Sequence, residues 1–268
     1  MKKLYLVADI EGTASISSWD EACGFDGPEF DRVSLQMTHE VVAACNAAFD
    51  AGYDKVVIRD AHSKGRNLHP ELLPRRTELL RGHSNEPLSI LGGINDEFNA
   101  VVFTGFHASA LNDGNPMSHT MTRRVRGAVL NGELLSEALM FGYAASYMGV
   151  PLLAMSGDYA VCTQMKRISP SLITVPIVFG SGDGTQSLQW DDACDVIYNG
   201  FLEALKKNSR EECMLKLPDH FSFDLSFNLH PTAKRNSYYP GVTQTDAHTI
   251  HYETDDYYEI LRMYHFMF

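Results

Sequence analysis

The sequence predicts an α/β fold, a parallel or mixed sheet with helices on its faces. Up to about residue 160, short β-like apolar runs alternate with segments of helical periodicity. Three of those runs stop at fragments that carry a carboxylate or an imidazole. Leu4-Tyr5-Leu6-Val7-Ala8 leads into Asp9-Ile10-Glu11-Gly12, Val56-Val57-Ile58 into Asp60-Ala61-His62-Ser63, and Val101-Val102-Phe103 into Gly105-Phe106-His107. Strand ends that converge on one edge of an open sheet are where such folds bind ligands. The composition agrees: 268 residues, 44% hydrophobic and 21% charged, can bury a substantial core as one domain or two and give no indication of disorder.

In chain order, residues 3 to 10 read as a buried strand. Residues 30 to 51 read as a helix with Val33, Met37, Val41, Cys45 and Ala48 on one face and Gly52 as its stop. Lys55 to Arg59 and Ala100 to Thr104 are further strands. Val125 to Leu130 and Glu133 to Leu135, joined by Asn131-Gly132, carry a hairpin signal. Ser136 is the expected N-cap of a helix to Met148, Pro151 to Met155 make another strand, and Gly157-Asp158 open a helix. Residues 180 to 189, starting Gly-Ser-Gly-Asp-Gly, read as the clearest loop and a candidate boundary. They suggest a metal-binding core over 1–178 and an α/β extension over 179–268, either separate or continuous with it. Within the extension, Trp190 to Lys207 suits one long helix. Phe221, Phe223, Leu225, Phe227 and Leu229 share one face of a strand, Thr249 to Glu253 form another, and an aromatic helix from Tyr257 to Phe268 closes the chain.

A formal charge of −12 disfavours nucleic acid and anionic membranes as partners. Asp9 and Glu11 interrupt the apolar run after Met1-Lys2-Lys3 before a leader-like segment can form. No stretch approaches the roughly 18 to 20 apolar residues of a membrane-spanning helix. Cys23, Cys45, Cys162, Cys194 and Cys213 are scattered and odd in number, as expected of reduced structural thiols. A cytoplasmic location is the expectation.

Asp9 and Glu11 lie at i and i+2, on one side of an extended backbone, where two buried like charges call for a cation. Zinc, manganese or magnesium would accept such oxygen ligands. Asp60 stands where it could orient the imidazole of His62. His107 follows Gly105, a residue that permits a close turn. His119, in Met117-Ser118-His119-Thr120-Met121, follows the turn-rich Asn112 to Pro116 and so lies on a loop, a common seat for an acid/base group. Each histidine alone also suits a structural position. Their recurrence beside carboxylates at consecutive strand ends favours a divalent metal cluster, and imidazole favours zinc-like ions.

Other signals fail. His39-Glu40-Val41-Val42-Ala43 lacks the second histidine of a zinc helix, and Gly180 to Gly184 lacks the Gly-Lys-Ser/Thr ending of a phosphate loop. No Gly-x-Ser-x-Gly elbow is present. His83, His220, His230, His248, His251 and His265 show no partner pattern and suit structural or surface positions. The aromatic tail suits core or subunit interface.

At these fragments, together with Ser136-Glu137 and Gly157-Asp158, the chain resembles the D-aminopeptidase family of the dipeptide-transport operon (peptidase family M55), which are binuclear zinc peptidases. The similarity covers nearly the whole chain and is strongest to about residue 160. After residue 176 the sequence departs from the family pattern at Phe179 to Gly184. The resemblance implies a three-layer α/β/α fold around a mixed, largely parallel sheet. It implies two Zn²⁺ per subunit held by Asp9, Glu11, His62, His107 and Glu137, with one carboxylate bridging, and His119 as the catalytic histidine. It further implies a ring-shaped homo-oligomer, a decamer by preference, acting on short peptides. The expected function is metal-assisted removal of N-terminal residues, D-amino acids foremost. Two alternatives stand beside it. One is a metal-dependent phosphoesterase, for which Lys64 and Arg123-Arg124 are the only obvious phosphate partners. The other is a non-catalytic metal- or peptide-binding protein of a transport system, which would need no extra titrating group such as His119.

Overall fold

The computed structural model describes residues 1–25 and 27–268. In chain order the elements are β1 (Lys3–Ala8), α1 (Trp19–Cys23), α2 (Pro28–Asp50), β2 (Lys55–Asp60), β3 (Thr77–Leu80), β4 (Ala100–Phe106), β5 (Val125–Leu130), β6 (Glu133–Leu134) and α3 (Glu137–Tyr147). There follow β7 (Leu152–Asp158), α4 (Tyr159–Ile168), β8 (Ile173–Ser181), β9 (Gly184–Ser187), α5 (Trp190–Lys207), β10 (Phe221–Phe227), α6 (His230–Asn236), β11 (Thr243–Gln244), β12 (Thr249–Thr254) and α7 (Tyr257–His265).

The central sheet has the order β3-β2-β1-β4-β7-β8-β9 and is parallel throughout except for the edge strand β9. Its inner strands are apolar on both faces, as a sheet covered on both sides requires. Leu4, Leu6 and Ala8 of β1 face a layer made by α2 and α5, with Val33, Met37, Val41, Ile197 and Phe201. Tyr5 and Val7 face the opposite layer, where α3, α4 and α7 pack. Side chains of this size contribute roughly 1.5–3 kcal/mol each on full burial. This is the expected mixed, largely parallel sheet between helical layers.

A second, antiparallel sheet, β11-β12-β10-β5-β6, lies in the outer layer beside α3 and α7. The sequence shows its strands but not their partnership, because β10 pairs with β5 across more than ninety residues, from Phe223↔Leu130 to Phe227↔Val125. The Asn131-Gly132 hairpin forms as expected, with positive φ at both residues (51° and 82°). Ser136 and Asp158 cap α3 and α4 by accepting the N–H groups of Leu139 and Val161.

Three expectations need correction. The glycine-rich stretch from residue 180 is the tip of the β8–β9 hairpin, with Gly182 at φ 58°, and not an open loop. The boundary at 178/179 therefore falls inside β8. The chain beyond it completes both sheets, and α5 packs along α2. Leu229 ends the alternation early: it is exposed and precedes α6, since the strand stops at Phe227. The short elements β3, α1, α6 and β11 carry too few residues for a periodic signal. No helix among the described residues is long and apolar enough to cross a membrane.

Candidate metal centre

The strand order reverses direction between β1 and β4, and the candidate residues gather at that point, on the carboxyl edge. Asp9 and Glu11 follow β1, His62 follows β2, His107 follows β4, and Glu137 is the first residue of α3. Backbone contacts fix the meeting of β1 and β4: the Asp9 N–H donates to the Thr104 carbonyl (2.9 Å) and the Gly12 N–H to the Gly105 carbonyl (2.8 Å). A side-chain carbon at Gly105, where φ is 70°, would run into the Asp9 carbonyl, and one at Gly12 into the Phe106 carbonyl. Both glycines thus permit the close approach that brings His107 beside Asp9.

All five expected ligands come together and are buried. His62 Nδ1 lies 3.0 Å from Glu11 Oε1 and 3.5 Å from Asp9 Oδ1. His107 Nε2 lies 3.5 Å from Asp9 Oδ2 and 3.4 Å from Glu137 Oε1. Two donors each about 2.0–2.1 Å from a tetrahedral zinc stand roughly 3.3 Å apart, so these separations suit an ion between them. Donor atoms of Asp9, Glu11 and His62 lie within 4.8 Å of one another, as do those of Asp9, His107 and Glu137, and of Glu11, His107 and His119.

Two further observations fit a metal. His107 Nε2 and Glu11 Oε2 are buried without a hydrogen-bond partner, a costly state unless something else satisfies them. Each imidazole also places its other nitrogen beside a backbone carbonyl at 2.9 Å: His62 Nε2 at Ala22, His107 Nδ1 at Ala108 and His119 Nδ1 at Met117. Donation there sets the tautomer that leaves His62 Nδ1, His107 Nε2 and His119 Nε2 with lone pairs facing the carboxylates.

The electrostatics carry the same demand for positive charge. Burial and the adjacent Glu11 push Asp9 up to about 7. Burial also opposes ionised Glu11, but His62, His107 and His119 outweigh it and hold Glu11 well below the usual carboxylate range. Burial would lower His62 and His107, yet Glu11 beside the first and Glu137 beside the second hold both well above ordinary histidine. His119 differs: burial and the neighbouring His107 lower it.

His119 sits at the edge of the cluster, stacked on His107 with ring centroids 4.3 Å apart, and edge-on to Trp19 at 5.1 Å. Its Nε2 is 3.9 Å from Glu11 Oε1 and 3.7 Å from Glu137 Oε1. Asp60 is placed differently from expectation. Its carboxylate accepts Asn67 N–H (2.6 Å), Asn67 Nδ2 (2.6 Å) and Leu68 N–H (2.9 Å), while Asn67 Nδ2 also donates to the His62 carbonyl (2.8 Å). Asp60 therefore ties down the loop backbone around His62, and its hydrogen bonds do not reach the ring.

The sequence did not reveal Trp19, which sits on a five-residue helix. It also did not reveal Asn115, whose Nδ2 joins the Glu11 carbonyl (2.9 Å) to Asp158 Oδ2 (3.2 Å) and so holds the His119 loop to the segment after β1 and to the end of β7. Its turn-rich surroundings gave no sign of that role. His83 and His265, read as structural or surface residues, line the same cleft as Asp9, Glu11, His62, His119 and Glu137.

Residues 1–266 match the model of peptidase family M55, described as D-aminopeptidase. A D-aminopeptidase of Bacillus subtilis strain 168 is 31% identical over 175 residues, which are 65% of this chain and 63% of that relative, less than two thirds of its length. The solved structure of the Zn-dependent D-aminopeptidase DppA from Bacillus subtilis, described as a self-compartmentalizing protease, superposes with a TM-score of 0.90 at 26% identity. The superposition covers 99% of this chain and 96% of that one. With residues 1–266 matched to the family model and the fold shared over nearly the full length, this chain belongs to the D-aminopeptidase family M55.

Proposed function

We propose that the chain is a zinc-dependent aminopeptidase that removes N-terminal residues, D-amino acids foremost, from short peptides, with two zinc ions per chain. The observation that carries this is His107 Nε2, buried without a hydrogen-bond partner 3.4–3.5 Å from two carboxylate oxygens. Asp9, Glu11 and His62 would hold one ion and Asp9, His107 and Glu137 the other, with Asp9 common to both sets. Bound there, the ions supply a Lewis acid for the scissile carbonyl and lower the pKa of a water to about 7.

His119 then handles the proton. Its Nδ1–H is committed to the Met117 carbonyl, so Nε2 offers a lone pair to the cleft. As water adds to the carbonyl carbon, Nε2 takes a proton from it; as the C–N bond breaks, the same proton passes to the departing amine nitrogen. In between, Glu11 and Glu137 stabilise the imidazolium. A phosphoesterase is disfavoured because no lysine or arginine is among the described residues that line this acid-rich cleft.

The assembly that goes with this function is a ring-shaped homo-oligomer, favoured as a decamer. Exposed Leu229, Tyr238 and Phe266 are apolar surface that a subunit contact would cover. A cytoplasmic location accords with five cysteines that are all free. Elemental analysis should find close to two zinc ions per chain. Chelation should abolish, and zinc restore, hydrolysis of D-aminoacyl p-nitroanilides, with L-anilides and p-nitrophenyl phosphate as comparators. A metal-free protein that is fully active would overturn the assignment.

A further inference from the structure

A second cavity, of about 210 Å³, opens beside the metal cleft. Met140 and Phe141 of α3 and Leu261 and Tyr264 of α7 line it, and Phe268 stands among its lining residues. Met140, Phe141 and Leu261 are buried, whereas Phe268 is partly exposed. The Tyr264 hydroxyl is already used, donating to the Thr120 carbonyl (2.8 Å). The metal cleft is lined chiefly by carboxylates, imidazoles and other polar groups; the neighbouring cavity is chiefly apolar.

Ser89, Met121 and His265 line both spaces, so the two adjoin at these residues. Two of these three hold a left-handed backbone, Ser89 at φ 49° and Met121 at φ 61°. Such strain in residues other than glycine persists where the surrounding structure imposes it, and it gathers at ligand sites. At Met121 the restraint is visible: its N–H donates to Glu137 Oε1 at 2.6 Å, which ties this shared border to a candidate metal ligand.

We propose that this cavity receives the side chain of the substrate's N-terminal residue, and that it selects apolar side chains of leucine or phenylalanine size over charged ones. The proposal rests on the aminopeptidase function above. An apolar cavity of about 150 Å³ takes a benzene ring, so this one has room for such a side chain. The cavity backs onto α3 and α7. The rim of the metal cleft at His83, Ser84 and Asn85, by contrast, is exposed and polar and leaves the rest of the peptide in solvent. A charged side chain would lose its hydration in the cavity, where the titratable groups among the described lining residues are His265 and the Tyr264 hydroxyl, the latter already committed to Thr120.

The test uses the zinc-loaded full chain and p-nitroanilides of D-alanine, D-leucine, D-phenylalanine, D-lysine and D-glutamate, so that only the N-terminal side chain varies. kcat/KM for D-leucine or D-phenylalanine should exceed that for D-lysine and D-glutamate by about 10-fold or more. Leu261→Trp fills the cavity from its floor and Thr122→Trp from its half-exposed lip. Each should lower the D-leucine to D-alanine ratio of kcat/KM by about 10-fold. Two filling variants are used so that misfolding of one leaves the other to decide. A ratio unchanged in a folded, zinc-replete variant overturns the proposal, as does a wild type that prefers D-lysine or D-glutamate. A change of oligomeric mass with no change in the ratio also overturns it, and assigns the cavity to a subunit contact. Failure of the aminopeptidase function would look different: the wild type would hydrolyse none of the anilides, and the cavity proposal would fall with it.

Discussion

His119 differs from the candidate ligands more than any other side chain in the cluster. Its Nε2 is farther from the carboxylates than the facing nitrogens of His62 and His107, and its pKa is lowered where theirs are raised. His119→Asn should therefore keep zinc content and fold while turnover falls by about 10²- to 10⁴-fold, or roughly 3 to 5 kcal/mol. Zinc and turnover measured on one preparation decide the matter: joint loss would make His119 a ligand, and near-normal turnover would make it a bystander. His62→Ala and Glu137→Ala should instead lower zinc occupancy, because each removes a donor from one of the two proposed ligand sets.

Helix α2 does more than cover the sheet. Glu40, buried in its middle, accepts the Ala14 N–H (2.9 Å) and so holds the segment that follows Glu11. Burial pushes Glu40 up to about 8, with the Ala14 N–H and the Gln36 amide pulling it back only in part. Since the ordinary value is 4.5, the folded chain holds this proton more tightly than the unfolded chain does. The stabilising contribution is therefore complete below about pH 4.5 and lost as pH rises through about 8. Glu40→Gln has no such proton. Between pH 5 and 8 its urea midpoint should fall less with pH than the wild type's, the difference approaching about 1.4 kcal/mol per pH unit at most. Slopes are the proper comparison, because Glu40 Oε2 lacks a partner and an amide there would carry a constant penalty. Parallel slopes in zinc-loaded proteins would sink the assignment.

For the assembled particle, light scattering at micromolar concentration should report a mass far above one chain. A decamer of 29.9 kDa chains would weigh about 300 kDa. A clean monomer would count against the ring. Leu229→Asp and Tyr238→Asp place charge on exposed apolar positions without touching the metal cleft. If those positions lie between subunits, the variants should shift the mass downward.

Much of the fold and of the candidate site was legible in the residues alone, because the signals involved are short-range. Apolar runs at strand period, the Asn131-Gly132 turn, the Ser136 cap and the helix from Trp190 to Lys207 each depend on a few neighbouring residues, and all appear in the structure. The carboxylates and imidazoles at the ends of β1, β2 and β4 stood out as candidate ligands for the same reason. What the chain order could not supply is which groups face each other once distant segments meet. That Asp9 belongs to two of the candidate donor groups, that Trp19 and His107 flank His119, and that Asn115 joins Glu11 to Asp158 all depend on crossings between separate elements. The partnership of β10 with β5 and the turn of Asp60 toward Asn67 instead of the His62 ring are of the same kind. Local propensity acts over a few residues, whereas these contacts are set by how sheets and layers pack, so they become visible only in the folded chain.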